Sequence, residues 1–318
     1  ALACAAPAAA SADPLARGSA LAEAFLAGET GPIWDGAAPA LRAALGTPEA
    51  LGDLRTALAA GFGTEEALLA QTWRHAARLD TYMRLARWSA DGEPVEMLVT
   101  FDAEGQIAGF LVRPAAEPAP SSRLGYRSQA ALRLPVEGAW HVVWGGRTVP
   151  ENYHAADRGQ RFAIDLLVLE DGRAQAGDPA ELAGYHCWGR PVLAPAAGEV
   201  VRAEDGLADQ PIGGADRAHP AGNHVVIDFG AGEYGFLAHL RAGSVAVAPG
   251  ARVAAGQKIG ECGNSGNSSE PHLHFHMQTS PVLGEGEGLP AQFLDYRADG
   301  AAVARGEPHQ GETVAPGL

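Results

Sequence analysis

The stretch PHLHFHM, residues 271–277, sets a histidine at every second position. In an extended strand successive side chains leave opposite faces, so His272, His274 and His276 share one face while Leu273, Phe275 and Met277 share the other. The apolar face calls for a core to pack against. The other face is a row of imidazoles, which bind metals and exchange protons near neutral pH. Such a strand predicts a β domain that carries chemistry on one side of a sheet.

The sequence around it reads the same way. Glycine and proline recur every few residues, and short alternating runs such as HVVIDF (224–229) and YGFLAHL (234–240) sit between turn signals. The N-terminal part differs. Residues 13–75 read as helical, with Leu21, Ala24 and Phe25, then Leu51, Leu54 and Leu58, then Leu68 and Leu69 in Ala-rich surroundings. From Leu79 the period becomes that of strands: TYMRLARWSA, a DGEP turn at 91–94, VEMLVTF, a DAEG turn at 102–105 and QIAGFLV form an antiparallel meander. RPAAEPAPSS (113–122) is Pro/Ala/Ser-rich and marks a linker. The expected organisation is a disordered N-terminus or signal remnant at 1–12, an α+β domain of helices plus an antiparallel sheet at 13–112, a linker at 113–125, and a mainly β domain of antiparallel sheets at 126–318.

A chain of 318 residues, 47% hydrophobic and 19% charged, is long enough for two globular domains. Its 38 acidic and 23 basic residues give a formal charge of −15, which excludes a general attraction to nucleic acid or anionic lipid. No apolar run approaches the roughly 20 residues of a membrane-spanning helix. The opening ALAC places a small-x-small pattern before a cysteine, as a secretion signal does, with Cys4 a candidate for lipid attachment; an Ala/Pro-rich terminus is the plain alternative. The other two cysteines, Cys187 and Cys262, form no CxxC pair and are either bridged or two buried thiols.

Eight of the eleven histidines fall between His154 and His276, which assigns any chemistry to the second domain. A catalytic zinc site takes about three protein ligands from His, Asp, Glu or Cys and leaves one position for water. A strand bearing His-x-His offers one imidazole to a metal and a second, roughly 7 Å along, to a substrate.

The segments RPVLAPAAGEVV (190–201), GNHVVIDFGAGEYGFLAHL (222–240) and VAPGARVAAGQKIGECGNSGNSSEPHLHF (247–275) resemble the lysostaphin-type (M23, LytM-like) zinc metallopeptidases. The resemblance implies a peptidase domain of duplicated-hybrid-motif type with a groove above its sheet, one Zn2+ per chain, and hydrolysis of peptide crosslinks in bacterial peptidoglycan. It also implies export, as a periplasmic, secreted or cell-envelope protein. Carried over by position, His274 resembles the family's zinc ligand, and His272 and His239 its two catalytic histidines. His276 matches no assigned role and reads as a neighbour that shapes the groove or supports the ligands. The usual His-x-x-x-Asp is met only in its aspartate, Asp165 in RFAIDLLV, because Arg161 stands at the histidine position and arginine cannot ligate. A branch of the family carries an asparagine-aromatic-histidine segment some ten residues earlier. GGRTVPENYHAADRGQRFAID (145–165) fits that variant through His154, so His154 and Asp165 are the implied remaining ligands. His186 in GYHCWG and His224 in GNHVVID compete for the place of His154. With zinc held in this way, the implied mechanism is attack by activated water, while His239 and His272 stabilise the oxyanion and pass the proton.

The first domain resembles the cystatin- or NTF2-like DUF3887 kind, which implies a binding or positioning module or a stabilising appendage. Three other readings stand beside the peptidase. One is a non-catalytic M23-like regulator or wall-binding protein that activates other hydrolases. A second is a serine hydrolase through Ser265 or Ser268, which leaves His154 and Asp165 unexplained. The third is a biotin- or lipoyl-carrier relative through Lys258, the only lysine, which leaves the histidines idle.

Overall fold

A computed structural model of the chain describes residues 13–76, 79–90 and 92–317. The segment read as a signal remnant, with Cys4, lies outside the described residues. The described residues fall into two compact units, the first ending at Ala115 and the second beginning at Ala116.

The first unit opens with α1 (Pro14–Ala27), whose ends are set by local chemistry. The Asp13 carboxylate accepts from the Leu15 amide at 3.0 Å, Pro14 takes the first helical position where its missing N–H costs nothing, and Gly28 closes the helix in the left-handed region at φ 93°. Gly18, Ala22 and Phe25 form its buried stripe. α2 (Gly31–Gly36), α3 (Pro39–Leu45) and α4 (Glu49–Phe62) follow, then an antiparallel sheet in chain order, β1 (Glu65–Ala76), β2 (Leu79–Trp88), β3 (Pro94–Phe101) and β4 (Ile107–Pro114). Tyr82, Val99, Phe101 and Ile107 of the sheet share one apolar core with Phe25, Ile33 and Leu51 of the helices. The expected DAEG turn joins β3 to β4, with Asp102 Oδ1 accepting from the Gln106 amide at 2.6 Å.

β1 corrects the reading of residues 13–75 as helical, and it makes the sheet four strands rather than three. EEALLAQTWRHA is rich in helix formers, but Gly63 at φ 81° ends α4, and the segment pairs with β2 from Glu65↔Trp88 to Ala76↔Leu79. A helix preference of only about 0.5 kcal/mol per residue yields to a full ladder of cross-strand contacts. Of the residues read as a linker, Arg113 and Pro114 belong to β4, while the Ser121 and Ser122 hydroxyls donate to Glu287 of the second unit at 2.8 Å.

The second unit is mainly β. Its strands are β5 (Trp140–Trp144), β6 (Ile164–Leu167), β7 (Pro191–Leu193), β8 (Gly198–Glu204), β9 (Asn223–Asp228), β10 (Tyr234–Leu240), β11 (Arg252–Val253), β12 (Lys258–Glu261), β13 (Leu273–Gln278), β14 (Gly288–Leu289), β15 (Phe293–Ala298), β16 (Ala301–Gly306) and β17 (Thr313–Pro316). An 11-stranded sheet runs β11-β8-β9-β10-β13-β6-β5-β17-β15-β16 with β14 paired to β13, and β12 pairs with β7 apart from it. β13 is therefore an interior strand, flanked by β10 and β6. Leu273, Phe275 and Met277 enter the main core beside Trp140, Leu166 and Leu237, as the alternation predicts. The histidine face is more enclosed than the sequence suggests, with His274 only 3% and His276 only 2% exposed. No helix among the described residues is long and apolar enough to cross a membrane.

Packing of α1 on the sheet yields a stability test. A Cβ at Gly18 would lie 2.1 Å from Tyr82 Cγ, whereas one at Gly52, inside α4, meets nothing within 4 Å. Gly18→Ala is expected to destabilise the first unit by about 1–3 kcal/mol through overpacking. Gly52→Ala is expected to stabilise it by about 0.5–1 kcal/mol through helix propensity and the unfolded chain. Urea unfolding midpoints of the two variants should move in opposite directions.

Candidate metal centre

Strand register brings Asp165 to the histidines. β6 pairs with β13 so that Asp165 stands directly opposite His274 and Ile164 opposite Phe275. Opposed side chains on one face of an antiparallel pair are close enough to bond, and His274 Nδ1 lies 2.8 Å from Asp165 Oδ1. His154 comes from outside the sheet, on a 3-10 turn at Tyr153–Ala156. The N-cap of that turn is Asn152, whose Oδ1 accepts from the His154 amide at 3.2 Å. Asn152 Nδ2 also donates to Gly146 O at 3.1 Å and to Ala163 O, just before β6, at 2.9 Å. One buried amide thus ties the turn to the strand that carries Asp165, and His154 Nε2 falls 3.0 Å from Asp165 Oδ2. The Tyr153 ring lies against that of His154, with centroids 3.9 Å apart and planes tilted by 33°, and meets Trp144 edge-on.

The donor atoms of His154, Asp165 and His274 lie within 4.8 Å of one another, and all three residues are buried. Two imidazole nitrogens and one carboxylate oxygen suit zinc. Burial pushes the Asp165 carboxyl up, but neighbouring His154 and His272, with hydrogen bonds from His154 and His274, outweigh it and hold the group well below the usual carboxylate range. An ionised buried carboxylate among imidazoles supplies the negative charge a cation needs. Burial lowers the His274 pKa in spite of its bond to Asp165. A neutral ring is the form that can offer a lone pair.

His239 and His272 stand beside this group with their rings 4.7 Å apart. His239 sits where the pairing of β10 with β9 is interrupted between Leu237 and Leu240, and it takes φ 61°. That conformation is rare for a residue with a Cβ and tends to persist where surroundings enforce it. Here the His239 amide donates to Ala221 O at 3.1 Å and its Nδ1 to Ser265 O at 2.9 Å. His272 is anchored in the same manner, Nδ1 donating to Glu270 O at 2.8 Å. Carbonyls that accept only hold both rings as Nδ1–H tautomers and leave each Nε2 for other work. His272 Nε2 lies 3.8 Å from Asp165 Oδ2. Burial, then the nearby His272 and His274, keep His239 well below the usual histidine range.

His154, His239, His274 and His276 line a groove together with Tyr153, Gln160, Pro220, Asn267 and Leu283. Polar side chains converge on this groove, as they do where a site orients a ligand. The competing histidines lie elsewhere: His186 is 3.5 Å from Glu170, and His224 donates through Nδ1 to Gly222 O at 2.7 Å. Arg161 is buried, donates to Ala155 O at 3.3 Å and lies over the Phe162 ring. Ser265 Oγ donates to Leu240 O at 2.7 Å, and Ser268 Oγ is engaged by Asn264 Oδ1 at 2.6 Å and Glu270 O at 2.9 Å. Lys258 pairs with Glu261 at 2.8 Å. Cys187 and Cys262 are buried free thiols, with Cys187 Sγ donating to Pro271 O at 3.0 Å. Sequence reading did not single out Gln160, nor the bond from Asn152 to Ala163; for Asn152 a signal existed, an asparagine immediately ahead of a short turn.

The buried histidines dictate a pH response. His239, His274 and His276 are all lowered, chiefly by burial. In the unfolded chain they take up protons below about pH 6.5, where the folded groups remain neutral. The unfolded chain then binds more protons, so stability of the metal-free protein falls as pH drops below about 6.5, by up to about 1.4 kcal/mol per unit and group. Urea unfolding in EDTA at several pH values between 5.5 and 7.5 measures this slope, and His239→Gln should flatten it.

Residues 184–285 match the model of Peptidase family M23. Similar solved structures include a mutant catalytic domain of the prophage-encoded M23 protein EnpA from Enterococcus faecalis, at 23% identity over 42% of this chain and 83% of that one, TM-score 0.27. A putative peptidase M23 from Pseudomonas aeruginosa is 19% identical over 62% of this chain and 71% of that one, TM-score 0.31. The catalytic domain of the antimicrobial peptidase lysostaphin from Staphylococcus simulans is 19% identical over 56% of this chain and 86% of that one, TM-score 0.28. No curated protein matches the chain. The family match takes in His239, His272 and His274 and leaves His154, Asp165 and the first unit outside it. Residues 184–285 lie wholly within the second unit, which is therefore the part of the chain that is similar to Peptidase family M23.

Proposed function

We propose that the second unit is a zinc metalloendopeptidase that hydrolyses peptide crosslinks of bacterial peptidoglycan, in a protein exported to the periplasm, the cell envelope or the medium. The observation that carries this reading is the convergence of His154, Asp165 and His274 beneath a groove that also holds His239, with residues 184–285 matching the M23 model. Bound to those three residues, zinc supplies Lewis acidity, which lowers the pKa of a water and polarises a carbonyl. The chain's own groups do the rest. Asn152 and Tyr153 orient His154 from its backbone and from its ring face. Asp165 contributes the negative charge. His239 and His272, their Nδ1 atoms spent on carbonyls, work through Nε2, accepting a proton from the attacking water and donating to the carbonyl oxygen or to the departing amine. Pro220 and Leu283 narrow the groove and limit water around the scissile bond. The regulator reading calls for missing site residues, and the metal donors and both histidines are all present.

Zinc content and the clearing of a purified peptidoglycan suspension test the proposal together. The wild type is expected to hold about one zinc per chain, as a three-ligand catalytic site does, and to clear the suspension. His274→Ala is expected to lose both metal and activity. His239→Ala and His272→Ala are expected to keep the metal and lose about 10²- to 10⁴-fold in rate, the usual share of general acid–base groups. Clearing by His274→Ala at the wild-type rate would remove the hydrolytic reading.

A further inference from the structure

β13 continues its alternation beyond the histidines already placed. His276 and Gln278 follow His274 on the same strand face, are 2% and 0% exposed, and take no part in the metal group. Gln278 has a fixed orientation, because its Nε2 donates to Ser280 O at 2.7 Å and to Val282 O at 2.8 Å. Its Oε1 is consequently turned away from those carbonyls, and it is buried without a partner. His276 Nε2 is buried without a partner as well. A donor-capable nitrogen and an acceptor are thus orphaned two residues apart on one strand face, in a protein interior where such groups are normally satisfied. The pair stops short of a formed bond. On its other edge His276 offers Nδ1, 2.8 Å from His274 Nε2, and its ring is stacked on Phe236 with centroids 4.5 Å apart and planes at 12°.

The donor and acceptor inventory gives this chain one direction. The Ser280 and Val282 carbonyls only accept, so the Gln278 amide gives its hydrogens to them and leaves its oxygen unspent, two residues along the same strand face from the unpartnered His276 Nε2. An amide oxygen only accepts, so pairing the two orphaned atoms puts the His276 hydrogen on Nε2 and makes its Nδ1 the acceptor. His274 must then carry its hydrogen on Nε2. Its Nδ1, which otherwise donates to Asp165 Oδ1 at 2.8 Å, then presents a lone pair to that oxygen. A lone pair opposed to a carboxylate oxygen at that distance is repulsive unless a cation lies between them, and the partner of the far nitrogen is what fixes the tautomer of a metal-binding imidazole.

We propose that His276 and Gln278 are positioning residues which, anchored on the Ser280 and Val282 carbonyls, lock His274 as its Nε2–H tautomer and aim Nδ1 at the metal locus. The inference rests on the metal reading of His154, Asp165 and His274, and it explains why the histidine row runs one residue further than ligation and proton transfer require.

Zinc affinity of the full chain, measured at fixed pH by competition with a chromophoric chelator, tests it. His276→Phe keeps a ring on Phe236 but offers no acceptor, and it is expected to weaken zinc binding about 10- to 100-fold, the usual effect of losing a partner behind a ligand. His276→Asn, whose side-chain oxygen can stand where Nδ1 stands, should recover most of that loss, while Gln278→Leu should show a smaller loss in the same direction. Nitrogen-15 spectra of histidine-labelled, zinc-loaded wild type should show the His274 hydrogen on Nε2, and Gln278→Leu should speed its exchange with solvent. The spectra decide the matter even if His276→Phe does not fold. Zinc binding by folded His276→Phe equal to that of the wild type, or a His274 hydrogen on Nδ1 in the loaded wild type, would overturn the inference alone. A wild type that takes up no zinc overturns the metal centre itself and this inference with it.

Discussion

The pairing of Asp165 on β6 with His274 on β13 is the contact on which the site is built, and the hydrophobic core is what holds that register. A slip of one residue along β13 would exchange its two faces. Leu273, Phe275 and Met277, all essentially unexposed, would then leave the core, at about 1.5–3 kcal/mol for each side chain. Three imidazoles would enter in their place. The apolar face is therefore more than a floor, since its burial fixes which side chain stands opposite Asp165.

Around that pair, backbone groups do much of the orienting. Ser265 O and Glu270 O fix the tautomers of His239 and His272, and Ala221 O holds the His239 backbone in its left-handed conformation. The loop that enters β13 serves as scaffold, because the hydroxyls of Ser265 and Ser268 are spent on Leu240 O, Asn264 and Glu270 O. Two glycines permit this loop to lie against its neighbour. A Cβ on Gly222 would sit 2.4 Å from the Ser265 carbonyl carbon, and one on Gly266, at φ 80°, 2.3 Å from the Gly222 nitrogen. Side chains at either position would spread the segments that carry Ala221, Pro220 and Asn267 into the groove wall.

Some elements were plain from local pattern and one was not. Turn signals with alternating apolar residues located β9, β10 and β13 because the period of two is a property of the strand itself. α1 was legible from Leu21, Ala24 and Phe25, whose helical spacing lies within the helix itself. β1 was not legible, since Glu65–Ala76 is composed of helix formers and becomes a strand only through its pairing with β2. Its identity depends on residues that lie beyond any local window.

For the site, the sequence by itself determined that His272, His274 and His276 share a strand face, that Asp165 is followed by an apolar run, and that the surrounding segments resemble M23 peptidases. Those are statements about neighbours along the chain. Only the tertiary structure decided which of His154, His186 and His224 meets Asp165, because that depends on Asn152 tying a turn to the start of β6 while Glu170 and Gly222 O engage the other two. It also decided that the imidazole row is enclosed, and that His276 Nε2 and the Gln278 oxygen are both buried without a partner. Donor direction and distance are properties of space, and strand register and loop closure set them between residues whose separation in sequence carries no information about either.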